Sequence, residues 1–331
     1  MSEKMCIFAP HLLCCLAEAY GNTNFEESME ETKISSSDGS PKTGLVLEGG
    51  GMRGMFSSGV IDVMMEHGIR FDGAVGVSAG ACFGVNMKSG QVGRAIRYQK
   101  SMCGNKQYMS LQSLWRTGNL VNAEYAYHTV PMEIDIFDID AAAANPMEFV
   151  VVCTDVVTGQ PVYHPLRRID YEELEWIRAS ASLPMVAQPV PVGGMRLMDG
   201  GLSDSIPLKY MQERGYARNV VILTQPLGYR KPPARHLWAM RWSTRHYPAV
   251  LECLRRRPEM YNRQLDYVFA QQQLGDTLII VPDHPLKIGR LELKAEKFEV
   301  IYEEGRRICE ANLERIRNFV INPSYIADHD H

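Results

Sequence analysis

Gly44-Leu45-Val46-Leu47-Glu48-Gly49-Gly50-Gly51-Met52-Arg53-Gly54 sets the architecture of this chain. Its first five residues read as a buried strand, and a glycine run follows at once. A helix is expected from about Met55 to His67, with Gly68 as its C-terminal stop. Phe56, Val60, Val63 and Met64 fall at i, i+4, i+7 and i+8, an apolar stripe suited to lie on a sheet. Asp72-Gly73-Ala74-Val75-Gly76-Val77 supplies a second short strand. Strand, loop, helix and strand make one βαβ unit, which points to an α/β fold.

Gly49-x-Gly51-x-x-Gly54 in that setting is also the dinucleotide fingerprint, so a Rossmann-type NAD or FAD oxidoreductase is the first rival. Asp72, 18 positions after Gly54, stands near the place of a ribose-binding carboxylate. That rival leaves Ser78 without a role. Gly76-Val77-Ser78-Ala79-Gly80 has the spacing of a nucleophile elbow, in which a strand turns sharply into a helix and lifts a serine hydroxyl clear of the backbone. Ala79 to about Met87 reads as that helix, kept slim by Ala79, Ala81 and Gly84. An ordinary tight turn fits the same five residues. An acyl-transfer site would use both segments: amides at the head of a helix, uncrowded by glycine, hold the oxyanion that forms when a serine attacks an ester. Gly49, Gly50, Gly51, Met52, Arg53 and Gly54 are the candidates for that hole, with Arg53 either neutralising an anionic head group or bracing the loop.

The serine needs a base. Nine histidines are present, and chain order in an α/β-hydrolase favours His236, His246 or His284, none of which sits in a loop motif. His128 and His164 come too early, and His329 and His331 belong to the tail. Asp199 is the better candidate: Met195-Arg196-Leu197-Met198 reads as a strand, Asp199-Gly200-Gly201 as the loop at its end, and Ser205-Ile206-Pro207 as the start of a helix. Functional groups in α/β folds gather at the carboxyl ends of strands, where Ser78, the glycine loop and Asp199 are all expected. Alone, Asp-Gly-Gly is a good turn.

Taken together, the glycine loop, Gly-x-Ser-x-Gly and Asp-Gly-Gly, in this order and spacing, resemble the patatin-like phospholipase family, in particular its bacterial stand-alone members. The resemblance covers roughly residues 44 to 215 and includes Ala179-Ser180-Ala181-Ser182-Leu183-Pro184, similar to a small-residue segment ahead of the aspartate strand. Gly201 in place of alanine is a familiar variant. The resemblance implies a three-layer sandwich with a mostly parallel central sheet. It further implies a catalytic dyad of Ser78 and Asp199, an oxyanion hole at Gly49 to Gly54, an elbow framed by Gly76 and Gly80, and a dyad loop of Gly200 and Gly201. The activity expected is hydrolysis of lipid carboxylic esters, phospholipid or lysophospholipid, through an acyl-enzyme. A dyad aspartate asks for desolvation, so a site walled by apolar residues is expected. A catalytically silent lipid-binding module is the other alternative.

Composition agrees with one main domain. A chain of 331 residues with 45% hydrophobic content can bury a large core. A net charge of −4 argues against general nucleic-acid binding. The Cys and His spacings call for no metal, and no cofactor is expected. The eight cysteines show no paired spacing and fit a reducing cytoplasm, with Cys82 read as buried packing.

Three segments are expected: a flexible lead-in over 1–43, a catalytic domain over 44–215, and an extension over 216–331 that completes the sheet and adds helices. Met5 to Ala19 lacks the marks of a signal peptide, and Met29 is an alternative start. Strands are expected at Asn219 to Thr224 and Thr277 to Val281, and helices over Ala249 to Leu274 and Lys294 to Val320. From Gly228 to Pro248 there is no acid, while Arg230, Lys231, Arg235, Arg241 and Arg245 are interleaved with Trp238, Trp242 and Tyr247. Trp238 with Trp242, and Arg241 with Arg245, pair at i, i+4, so a helix there would offer indoles and guanidiniums to a lipid surface at the inner membrane face. The competing reading puts both tryptophans in the core and leaves the arginines solvated.

Overall fold

The computed structural model describes residues 41–322, apart from positions 235, 236, 290, 291 and 293. Most of the expected lead-in, the start at Met29, Arg235, His236 and the tail with His329 and His331 lie outside the described residues. The elements follow the patterning closely. β1 (Thr43–Leu47) runs through the glycine loop, a short 3-10 turn at Gly51–Arg53, into α1 (Gly54–Glu66) and then β2 (Gly73–Val77). Phe56, Val60, Val63 and Met64 of α1 are all fully buried. After β2 come α2 (Ala79–Ser89), α3 (Arg94–Ser101), α4 (Leu111–Thr117), a π-helical stretch Tyr125–Ile134 and α5 (Ile139–Ala144).

Next are β3 (Glu148–Asp155), β4 (Pro161–Leu166), α6 (Tyr171–Ser180), β5 (Val190–Val192), β6 (Met195–Asp199), α7 (Leu208–Glu213) and β7 (Arg218–Ile222). The chain closes with α8 (Leu237–Ser243), α9 (Pro248–Gln273), β8 (Thr277–Ile280), α10 (Ala295–Ala311) and α11 (Leu313–Ile321).

β8, β7, β1, β2 and β3 lie side by side, every neighbouring pair parallel, and β4, β5 and β6 add antiparallel pairings at the β3 end. Period-2 alternation splits each central strand between two cores. Leu45, Leu47, Val220 and Ile222 meet Phe56 of α1, Phe298 of α10 and Phe319 of α11 on one face. Val46, Val75 and Val221 meet Leu208 and Met211 of α7 and Tyr261 and Leu265 of α9 on the other. The result is an α/β three-layer sandwich whose last helices cover both faces.

β3 explains how the site is assembled. β4 pairs along one of its edges from Phe149 to Thr154, and β2 takes the other edge only as far as Val152. Cys153 to Asp155 on that same edge pair with β6, which runs in the opposite direction. β2 and β6 therefore approach end to end along one strand, and their last residues meet. The reading that placed Asp199 at a strand's carboxyl end holds, but its strand is antiparallel and arrives from beyond the edge where the parallel strands stop.

Two boundaries differ from expectation. Lys294 to Val320 is not one helix: it breaks at Asn312, whose side-chain amide donates to the Ile308 carbonyl (2.9 Å), a local bond that competes with helical continuation. The helix expected at Ser205 starts at Leu208, because the Ser205 and Ile206 amides donate instead to Gln264 Oε1 of α9, at 3.1 Å each.

Candidate active site

Ser78 has φ 55° and ψ −120°, a conformation non-glycine residues rarely adopt. Its amide donates to Ser180 Oγ (2.8 Å), and Ser180 Oγ donates to the Val152 carbonyl (2.7 Å), so the strained residue is tied to β3. Its hydroxyl donates to Asp199 Oδ2 at 2.6 Å. The other carboxylate oxygen of Asp199 accepts from the Gly201 amide (2.8 Å), and the Asp199 carbonyl accepts from Thr154 Oγ1 (2.8 Å). Asp199 is 1% exposed and Ser78 8%. A short hydroxyl-to-carboxylate bond at a nearly dry position is the arrangement an ester-attacking serine requires.

Glycine is needed around this pair. A Cβ on Gly200 would overlap the Val152 carbonyl oxygen, and one on Gly49 would come within 2.9 Å of both Ser78 Cβ and the Val77 carbonyl oxygen. Gly76 and Gly80 lie either side of the serine where strand and helix close on each other. Gly50 and Gly51 line the cleft beside Ser78, and Gly51 and Met52 also face a second cavity. The leading amides of a helical run have no partner inside it, so this turn offers donors to that space. Gly54 begins α1 against Ala79 and Phe83. Arg53 lines the cleft.

The loop is anchored by Glu48, which sequence reasoning left without a role. Its buried carboxylate accepts from the Thr224 amide (2.6 Å), Thr224 Oγ1 (3.1 Å) and Tyr261 Oη (2.7 Å), binding the loop to the segment just after β7 and to α9.

The second cavity, about 190 Å³, opens from Ser78 between α2, α3, the π-helical stretch and α6. Phe83, Met102, Leu120, Val130 and Leu174 wall it, so the expected apolar wall stands on one side of Ser78, whereas Asp199 lines the polar cleft on the other. Cys82 faces this cavity rather than sitting in plain packing, in hydrogen-bond contact with Tyr127, and burial pushes its thiol up to about 12. Burial likewise pushes Tyr108 up to about 12. Residues 94 to 137 carry no motif, so nothing in their spacing marks their place here.

The histidines stand apart. His128 Nε2 lies 2.8 Å from Glu175 and His164 Nε2 2.8 Å from Glu173, each ring stacked on an aromatic neighbour. No described histidine lines either space beside Ser78. Asp72 is equally remote: it precedes β2 at the amino end of the parallel strands, opposite Ser78, and accepts from the Thr43 amide (2.7 Å), which removes the ribose-binding role. Among the described residues no cluster of His, Cys, Asp and Glu is arranged to hold a metal ion. Trp238 and Trp242 are 77% and 71% exposed, so neither is core, and no helix among the described residues is long and apolar enough to cross a membrane.

Residues 45–211 match the patatin-like phospholipase family over half of the chain. The chain belongs to the patatin-like phospholipase family. Residues 247–321 of this patatin-like protein match a domain of unknown function (DUF6363). An uncharacterised NTE-family protein of Mycobacterium tuberculosis is 29% identical over 196 residues, 59% of this chain and 52% of its own length. The lysophospholipase NTE1 of Cryptococcus neoformans is 27% identical over 186 residues, 54% of this chain and 11% of its own. Among solved structures, VipD from Legionella pneumophila aligns with a TM-score of 0.43 and 12% identity, covering 85% of this chain and 69% of VipD. The chain spans about half the length of the mycobacterial relative it matches, and much less of the fungal one.

Proposed function

We propose that this protein is a serine acyl hydrolase that cleaves carboxylic esters of lipids, phospholipid or lysophospholipid, through a Ser78–Asp199 dyad. The observation that carries this reading is the 2.6 Å bond from Ser78 Oγ to a buried Asp199, at the mouth of an apolar cavity. Family membership and the likeness to a named lysophospholipase support it.

In this mechanism Asp199 Oδ2 takes the hydroxyl proton as Ser78 Oγ bonds to the acyl carbon. The amides of Gly49 to Gly54 hold the resulting oxyanion, which collapses as the alcohol leaves with the proton. Water then attacks the acyl-enzyme, giving its proton to Asp199, and the fatty acid departs as Ser78 Oγ recovers a proton. The apolar cavity that opens from Ser78 holds the acyl chain. Fluorophosphonate labelling and hydrolysis of a p-nitrophenyl acyl ester test the dyad. Both are expected in the wild type; both vanish in Ser78→Ala, and hydrolysis vanishes in Asp199→Ala. A folded wild-type protein with neither label nor turnover refutes the reading and leaves a silent lipid-binding module.

Contact with the membrane would run through Trp238 and Trp242, whose exposure on one short helix with Arg241 and beside Arg245 suits an interfacial site. Replacing both tryptophans by alanine is expected to weaken binding to anionic liposomes while soluble-ester hydrolysis continues. Unchanged liposome binding excludes this surface.

A further inference from the structure

The apolar cavity beside Ser78 carries a polar patch that the dyad does not use. Cys82 of α2, Tyr98 and Gln99 of α3, Tyr108, and Tyr127 of the π-helical stretch all line it. They come from separate stretches of chain, so the patch exists only in the folded protein. The Cys82 thiol is in hydrogen-bond contact with Tyr127, and Tyr108 is in similar contact with Gln99. Tyr98 lines the same space, and its hydroxyl has no hydrogen-bond partner among the described residues. Burial raises the Tyr98 and Tyr127 phenols well above their ordinary range, and Cys82 and Tyr108 raise both further, which places the phenol and thiol tips close together. All of them are therefore neutral near pH 7, and each carries a hydrogen to donate.

The guanidiniums that line the cavity are committed elsewhere. Arg94 is held by Asn86 Oδ1 (2.9 Å) and by Asp135, and Arg178 is held by Glu175. What the patch offers an occupant is thus a group of neutral donors, which suits an uncharged oxygen better than a carboxylate. A plain hydrocarbon chain laid along the cavity would cover these hydroxyls and give them nothing to bond, and a buried polar group left unpaired is costly. An oxygen on the chain would satisfy them. Four residues at the helical rise set Cys82 about 6 Å along α2 from Ser78, so that oxygen belongs several carbons from the ester rather than beside it.

We propose that Cys82, Tyr98, Tyr108 and Tyr127 form a subsite for an oxygen function, a hydroxyl or epoxide, carried part-way along the acyl chain, so that the preferred esters are those of oxygenated fatty acids. This rests on the hydrolase reading above and names the acyl class within it. A site built to hydrogen-bond a substrate hydroxyl rejects the analogue that lacks it, whereas an apolar pocket only weakly tells the two apart.

The test compares the p-nitrophenyl esters of decanoic acid and 7-hydroxydecanoic acid. In the wild type, kcat/KM is expected to favour the hydroxylated ester by at least about tenfold, the opposite of what an unbroken apolar wall would do. The ratio is expected to fall about tenfold in Y98F and in Y127F, each of which keeps the ring and removes only the hydroxyl. Because each ratio is taken within one variant, a general loss of folded protein or of turnover cancels. A ratio of one or less in the wild type, or a ratio that neither variant lowers, overturns the proposal. Titration calorimetry with the two free acids needs no turnover: the full chain is expected to bind 7-hydroxydecanoate about tenfold more tightly than decanoate, and Y98F and Y127F to narrow that gap. Equal binding, or a gap indifferent to both variants, overturns the subsite. Preference in binding with no hydrolysis of either ester sinks the hydrolase reading and leaves the subsite; hydrolysis of both esters without preference does the reverse.

Discussion

Ser78 holds a backbone conformation that costs an L-residue about 1–3 kcal/mol and costs glycine little. Glycine elsewhere would destabilise through unfolded-chain entropy by roughly 0.5–1 kcal/mol. Ser78→Gly is therefore expected to be more stable than Ser78→Ala, by about 1 kcal/mol in denaturant melts, although both lose the hydroxyl that Asp199 accepts. Asp62 of α1 gives a second residue-level test. It is 1% exposed, accepts from Tyr302 Oη (2.8 Å) and the Gly93 amide (3.0 Å), and desolvation raises its pKa from 3.8 to about 6. Between those values the native state binds more protons than the unfolded one, so this group's contribution to stability falls as pH rises through the window. Relative to wild type, Asp62→Asn should gain stability from pH 4 to pH 6, by at most about 3 kcal/mol. A difference that stays flat across that window would show that Asp62 titrates normally.

Elements meet most closely where α1 crosses α10. A Cβ on Gly59 would overlap the Tyr302 carbonyl oxygen, and one on Gly305 the Phe56 carbonyl oxygen, so the two helices touch backbone to backbone. Gly59→Ala and Gly305→Ala are each expected to cost about 3 kcal/mol in urea melts, with the double variant costing less than the two together because one displacement relieves both clashes. The α1 stripe and the short strands were legible in the sequence because 3.6- and 2-residue periods need only local neighbours. Strand direction was not: nothing within Met195 to Asp199 records that β6 runs against β3, and that property brings Asp199 to Ser78. In the sequence Ser180 reads only as part of a small-residue run. Its role in holding the Ser78 amide depends on a partner 102 residues away.

At the scale of the molecule the site motifs were readable and their surroundings were not. Ser78, Asp199 and the glycine loop announce themselves by spacing, whereas Glu48 and Tyr261 come together only once α9 is laid across the sheet. That dependence predicts the behaviour of shortened chains. A protein ending at His246 would lose β8 and helices α9, α10 and α11, leaving β7 with an open edge and Glu48 without its Tyr261 donor. It is expected to show no cooperative unfolding transition and no fluorophosphonate label; a sharp melt for that fragment would mean that the first 246 residues fold alone. The α1–α10 crossing has an implication for inheritance as well. Its two glycines belong to stretches that match different families, yet neither tolerates a methyl group so long as the other helix lies where it does. Recombination that exchanged one stretch for a distant cousin's would have to bring a matching smooth helix with it, so these two parts are expected to have travelled through descent as a pair.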